Sequence, residues 1–136
     1  SLIHYGDEVG LAGYHDPDNR HMMSWDWNSD QEQLHQLVQK VGQARNQHSQ
    51  LSSFDRQVWW EDVDTLGYAV HDNEQHALVL LNRSGEAQSL GNALGWVNLP
   101  LSGEVQEVLT GETAFIDGDW FEQTVPPRSA QIWIWQ

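Results

Sequence analysis

Leu66-Gly67-Tyr68-Ala69-Val70-His71-Asp72-Asn73-Glu74-Gln75-His76-Ala77-Leu78-Val79-Leu80-Leu81-Asn82 contains two short apolar runs joined by a polar connection. Leu66 to His71 and Ala77 to Asn82 read as strands, and His71 to His76 reads as the hairpin connection between them. The same texture extends in both directions. Arg56 to Glu61, Glu104 to Leu109, Trp120 to Val125 and Ala130 to Trp135 are further β-like runs, each bounded by Gly, Asn, Asp, Ser or Pro. Roughly five to eight short strands spaced about 8–12 residues apart predict an antiparallel sandwich or barrel. In the last run Ile132 and Ile134 alternate with Trp133 and Trp135, so one set faces the core and the other faces out or is covered by another element.

The residues before this β region have a different period. Ser29-Asp30-Gln31-Glu32 matches a capping box, in which the Ser hydroxyl and the Glu carboxylate satisfy free N–H groups at a helix start. Leu34, Leu37, Val38, Val41 and Ala44 then recur at spacings of three and four, predicting a helix from residue 29 to about residue 48 with one apolar stripe. Gly42 weakens that helix by about 1 kcal/mol relative to Ala, so the stripe has to pack on something. Upstream, Leu2 to Tyr5 is strand-like, and the rest of residues 1–28 reads as loop, with a turn signal at Asp16-Pro17. One strand and one helix cannot make a core of their own.

Composition narrows the function classes. The 136 residues carry 20 Asp and Glu against 6 Lys and Arg, a formal charge of −14. Affinity for phosphate backbones and anionic lipid comes from Lys and Arg, so nucleic acid and membrane surfaces are not expected partners. The chain has 8 Trp and no Cys, which removes disulfides, thiolate nucleophiles and Cys-based zinc sites. Cytoplasm and periplasm both stay open, with the cytoplasm favoured. No apolar run approaches the ~20 residues of a helical membrane span. The sequence starts without Met, directly in an apolar stretch, as expected of a piece cut from a longer chain.

The most specific residues lie near the start. Ile3-His4-Tyr5-Gly6-Asp7-Glu8-Val9-Gly10-Leu11, then Asp16-Pro17-Asp18-Asn19-Arg20, Met22-Met23 and Ser24-Trp25-Asp26, resemble a segment of the α-amylase superfamily, glycoside hydrolase family 13. There the pattern I-Y-Y-G-D-E-x-G, a D-P-x-x-R loop and P-M-x-W-D precede the last helix of a (β/α)8 barrel. The loop looks most like the maltodextrin-acting branch: cyclomaltodextrinase, neopullulanase, maltogenic amylase and maltodextrin glucosidase. Gln43-Ala44-Arg45 through Gln50-Leu51 is similar to the end of the eighth barrel helix, and Ser129-Ala130-Gln131-Ile132-Trp133 to the closing strand of the family's C-terminal domain. Departures fall at His4, Met22 and Ser24. The resemblance implies a mainly β chain: the last strand and helix of a (β/α)8 barrel over residues 1–51, then a C-terminal antiparallel β-sandwich over residues 52–136.

The same resemblance implies a retaining α-glucan or maltodextrin hydrolase as the parent. Its nucleophilic Asp, acid/base Glu and second Asp belong to the fourth, fifth and seventh barrel strands, so no catalytic residue and no cofactor is expected in this chain. Asp7 and Glu8 do not replace them: neighbours on an extended strand point to opposite faces, whereas a retaining pair stands about 5–5.5 Å apart across one bond. Asp16 and Arg20 are the candidate substrate-binding pair, because the matching Asp and Arg of the family's loop contact donor-side sugars. Carboxylate and guanidinium are strong directional partners for sugar hydroxyls. The plainer alternative is an exposed ion pair that closes its own turn.

Asp16, Asp18, Asn19 and Asp26 are oxygen-rich, but calcium takes six to eight ligands and the D-x-D-x-D-G loop is absent, so no metal is expected. Among the tryptophans, an outward pair would offer a starch-binding platform, and the alternative is that they fill the sandwich and its seam. Expected partners are therefore maltodextrin or another α-glucan and the missing (β/α)8 barrel. Leu2, Ile3, Leu34, Leu37 and Val41 would otherwise favour self-association.

Overall fold

A computed structural model describes residues 3–73 and 75–136. The chain divides into two compact units, the first closing at Gln43 and the second formed by Ala44–Gln136.

The first unit holds a glycine-punctuated loop region and most of helix α1, Ser29–Gln47. The helix start lies one residue earlier than the predicted box. Asn28 is the cap: its Oδ1 accepts the N–H groups of Asp30 and Gln31, both at 3.0 Å, and Gln31 Oε1 accepts the Asn28 N–H at 3.1 Å. The reciprocal bonding of a capping box is present, carried by Asn and Gln instead of Ser29 and Glu32. An Asx side chain satisfies the same free N–H groups, and with it Ser29 becomes the first helical residue. The predicted stripe is covered unevenly. Ala44 is buried and Leu34 and Val38 are half-buried, whereas Leu37 and Val41 are 47% and 41% exposed. Ile3-His4-Tyr5 forms no strand ladder, since the described residues of this unit offer no neighbouring strand to pair with; Leu2 lies outside the described residues.

The second unit is an antiparallel β-sandwich. Among the described residues eight strands form two sheets: β1 (Arg56–Glu61), β2 (Thr65–Asp72), β3 (Gln75–Asn82), β4 (Gln88–Ala93), β5 (Ser102–Glu107), β6 (Thr113–Asp117), β7 (Trp120–Val125) and β8 (Ser129–Trp135). The larger sheet has the order β1-β2-β3-β8-β5-β6, and β4 pairs β7 in the smaller. The hairpin expected at His71 to His76 is formed, with His71 opposite His76 and Asp72 opposite Gln75. Asn73 takes a left-handed conformation at its tip, which Asn tolerates better than most residues. β5 ends at Glu107, two residues before the predicted limit, because the chain turns there: Gly111 N–H donates to the Glu107 carbonyl at 2.8 Å.

Strict alternation gives the six-stranded sheet two buried faces. Ala69, Leu78, Leu80, Val105 and Trp133 point toward the small sheet and meet Leu90, Phe121 and Val125. Val70, Ala77, Val79, Ile132 and Ile134 form the opposite face, covered in part by Leu51. Thus both sets in the last strand are packed, the isoleucines on one side and Trp133 on the other. Trp59 and Trp60 depart from the alternation expected of neighbours. A bulge separates the pairs Val58–Tyr68 and Trp60–Gly67, so Trp59 is the extra residue. Trp59 is buried, and Trp60 packs half-buried against the same core.

Candidate functional site

The loop region of the first unit is fixed by local hydrogen bonds. Gly6 adopts φ 92°, and a Cβ there would fall 2.8 Å from Leu11 Cβ, so only glycine fits. Around it Asp7–Val9 makes a 3-10 turn with Val9 buried. Asp7 Oδ2 accepts the His4 N–H at 3.1 Å, and Glu8 Oε2 accepts the Gly6 N–H at 2.8 Å. Both carboxylates are thus tied to their own backbone, which is a supporting arrangement. The geometric reason differs from the expected one, since the dipeptide sits in a turn instead of an extended strand.

Asp16 and Arg20 are brought together. Asp18–Arg20 forms a second 3-10 turn, and Arg20 Nε lies 2.8 Å from Asp16 Oδ1. The side chains are 63% and 75% exposed respectively, so the ion pair adds only about 0–1 kcal/mol to stability. Carboxylate and guanidinium therefore stand side by side and open to solvent, with lone pairs and N–H groups free for hydroxyl partners. Beside them a cavity of about 350 Å³ is lined by Tyr5, Asp7, Tyr14, Asp18, Asn19 and His21, among others. Tyr5 helps to hold its wall, donating its hydroxyl to the His21 carbonyl at 2.8 Å. Asp18 and Asn19 line this cavity, whereas Asp16 is engaged with Arg20. Among the described residues no three Asp, Glu, His or Cys side chains converge on a point that would hold a metal ion.

The tryptophans divide by environment. Trp59 and Trp133 are buried, and Trp60 and Trp135 pack half-buried against the sandwich core. Trp25 and Trp27 stand 5.9 Å apart before α1, and Trp27 lies 4.8 Å from the His35 ring. Trp96 and Trp120 are 75% and 63% exposed.

Comparison with known proteins agrees with this architecture. No family model matches the chain. Neopullulanase 2 of Thermoactinomyces vulgaris is 30% identical over 98% of this chain and 23% of its own length. A cyclomaltodextrinase of Geobacillus thermopakistaniensis is 28% identical over 92% of this chain and 21% of its own length. The crystal structure of an α-amylase from Geobacillus thermoleovorans, complexed with acarbose, superposes over 97% of this chain and 28% of that one with a TM-score of 0.84 at 20% identity. This chain therefore spans between about a tenth and a quarter of the length of the curated relatives it matches. With its antiparallel sandwich and D-P-x-x-R loop, it is homologous to the C-terminal region of the α-amylase superfamily, glycoside hydrolase family 13. The relatives it is similar to include cyclomaltodextrinases and a neopullulanase, and also a β/α-amylase and a cyclomaltodextrin glucanotransferase.

Proposed function

We propose that this chain is the C-terminal part of a retaining hydrolase of α-1,4-glucans or maltodextrins. Residues 1–51 complete a (β/α)8 barrel, and residues 52–136 form the β-sandwich that stabilises it. The barrel supplies the catalytic carboxylates. This chain supplies one wall of the donor subsites, with Asp16 accepting hydrogen bonds from sugar hydroxyls and Arg20 donating to sugar oxygens.

The observation that carries this function is the exposed Asp16–Arg20 pair, 2.8 Å apart, on a D-P-x-x-R loop that resembles the loop of maltodextrin-acting enzymes, in a chain similar to a cyclomaltodextrinase and a neopullulanase. A pair serving stability alone would gain little at such exposure. Vicinal sugar hydroxyls match a carboxylate and a guanidinium held side by side, because one accepts and the other donates in a fixed fork.

Division of labour between the two parts gives the test. Incubated alone with maltotriose or a cyclodextrin, the purified chain releases no sugar. Turnover by the chain alone contradicts the proposal.

A further inference from the structure

The outer face of the small sheet carries a second arrangement suited to sugars, remote in sequence from the Asp16–Arg20 loop. In the β4–β7 ladder Ser89 pairs with Thr124, Gly91 with Glu122 and Ala93 with Trp120. Leu90 and Phe121 are buried on the inner face, so Ser89, Gly91, Trp120 and Glu122 share the outer one. Gly91 leaves the backbone bare under the indole: a Cβ there would lie 3.2 Å from Trp120 Cζ2. The ring is also tethered, its Nε1 donating to Glu122 Oε2 at 3.4 Å, while the Ser89 hydroxyl donates to Glu122 Oε1 at 2.6 Å. These two bonds, Ser89 first, hold the Glu122 carboxyl below its ordinary pKa, because both donate to its charged form.

A second indole stands at the same end of the sheet. Trp96 follows Gly95, whose N–H donates to Asp119 Oδ1 at 2.7 Å, and Asp119 immediately precedes Trp120. Leu94 N–H is bound to the Asp119 carbonyl at 2.7 Å, so the two Trp-bearing segments are laced together. Both rings remain largely exposed. This face lies across the sandwich from the one that Leu51 covers.

From this geometry we infer a surface binding site for a neutral oligosaccharide at Trp120 and Trp96. Indole faces stack on the apolar C–H face of a pyranose ring, and a tethered ring loses little conformational freedom on binding. Glu122, with both oxygens already oriented, keeps lone pairs for sugar hydroxyls. The chain's charge of −14 disfavours anionic ligands and leaves uncharged saccharides unopposed. That the saccharide is an α-glucan rests on the function proposed above; the site itself does not.

Isothermal titration of the purified chain with maltoheptaose, and separately with cellohexaose, tests it. Saturable maltoheptaose binding is expected, lost in Trp120→Ala, weakened in Trp96→Ala and retained in Phe115→Ala, which removes an exposed aromatic ring on β6 instead. Trp120→Phe, which keeps a stacking ring, retains part of the binding, and thermal melts of all variants check that the fold is intact. Binding of cellohexaose alone upholds the surface site and contradicts the α-glucan function. Absence of binding to either sugar overturns the site, as does binding that survives Trp120→Ala undiminished or disappears equally in Phe115→Ala. So does a dimer, seen by sedimentation, that Trp120→Ala dissolves, since a second copy then occupies the face.

Discussion

Glu107 and Ile132 are joined inside the protein: the Ile132 N–H donates to Glu107 Oε1 at 2.8 Å, with Glu107 only 1% exposed. Its other oxygen accepts the Thr110 N–H and the Thr110 hydroxyl, both at 2.7 Å. One carboxylate therefore closes the turn after β5 and fastens it to β8. Removing the carboxylate leaves three donors without it, and hydrogen bonds to charged groups contribute about 1.5–3 kcal/mol each before relaxation and water entry reduce the sum. Glu107→Ala is expected to lower the stability measured by urea unfolding by about 2–4 kcal/mol, and Glu107→Gln, which keeps one acceptor oxygen, by less. Equal stability of Glu107→Ala and wild type contradicts this role.

Gly67 marks the crossing of two large side chains. A Cβ there would lie 2.8 Å from Trp59 Cε3, 3.1 Å from Trp60 Cβ and 3.2 Å from Leu80 Cδ2. Gly67→Ala therefore overpacks the sandwich core, at a cost of about 1–3 kcal/mol. Thermal unfolding checks this against Gly85→Ala, where a Cβ meets nothing within 4 Å. The expected outcome is a lower Tm for the first variant only.

The start of α1 separates two neighbouring polar residues. Asn28 carries the cap, and Ser29 makes none of these capping bonds. Asn28→Ala is expected to destabilise the helix by about 1 kcal/mol and Ser29→Ala by much less. Amide exchange at Asp30 and Gln31 reports it directly, accelerating in the Asn28 variant.

The β2–β3 hairpin confers a pH dependence. His76 is half-buried, with its Nδ1 3.0 Å from His71 Nδ1. Burial first, and charge on His71 second, lower its pKa from the ordinary 6.5. The unfolded chain then binds more protons than the folded one across that window, so stability rises with pH. The contribution is complete above about 6.5 and is lost as pH falls through the lower folded value. His76→Asn is expected to flatten the fall in Tm between about pH 7 and pH 5. An unchanged slope contradicts it.

Much of the fold was legible because period and punctuation agree. β1, β2, β3, β7 and β8 combine apolar runs with turn residues at their ends, and the helix follows its stripe. β4 was hidden, since Gln88-Ser89-Leu90-Gly91-Asn92-Ala93 has one large apolar residue, Leu90, and relies on its ladder with β7. β6 was hidden differently: it is only five residues long, and of its adjacent Phe115 and Ile116 only Ile116 is buried. The bulge that turns Trp59 and Trp60 onto one core has no local signal, because it depends on the pairing with β2. Asp16 and Arg20 were legible through a motif four residues apart in sequence. The Trp120–Glu122–Ser89 arrangement was not, since it exists only once β4 and β7 are paired across more than thirty residues.

Under the proposed function, hydrolysis of maltotriose by a longer protein containing this chain, wild type against Arg20→Ala, tests the proposed donor-side role most directly. Loss of a charge-assisted hydrogen bond of about 1.5–3 kcal/mol predicts a fall in kcat/KM of roughly 10- to 100-fold, chiefly through KM. An unchanged kcat/KM, with Arg20 gone and the protein folded, would contradict it.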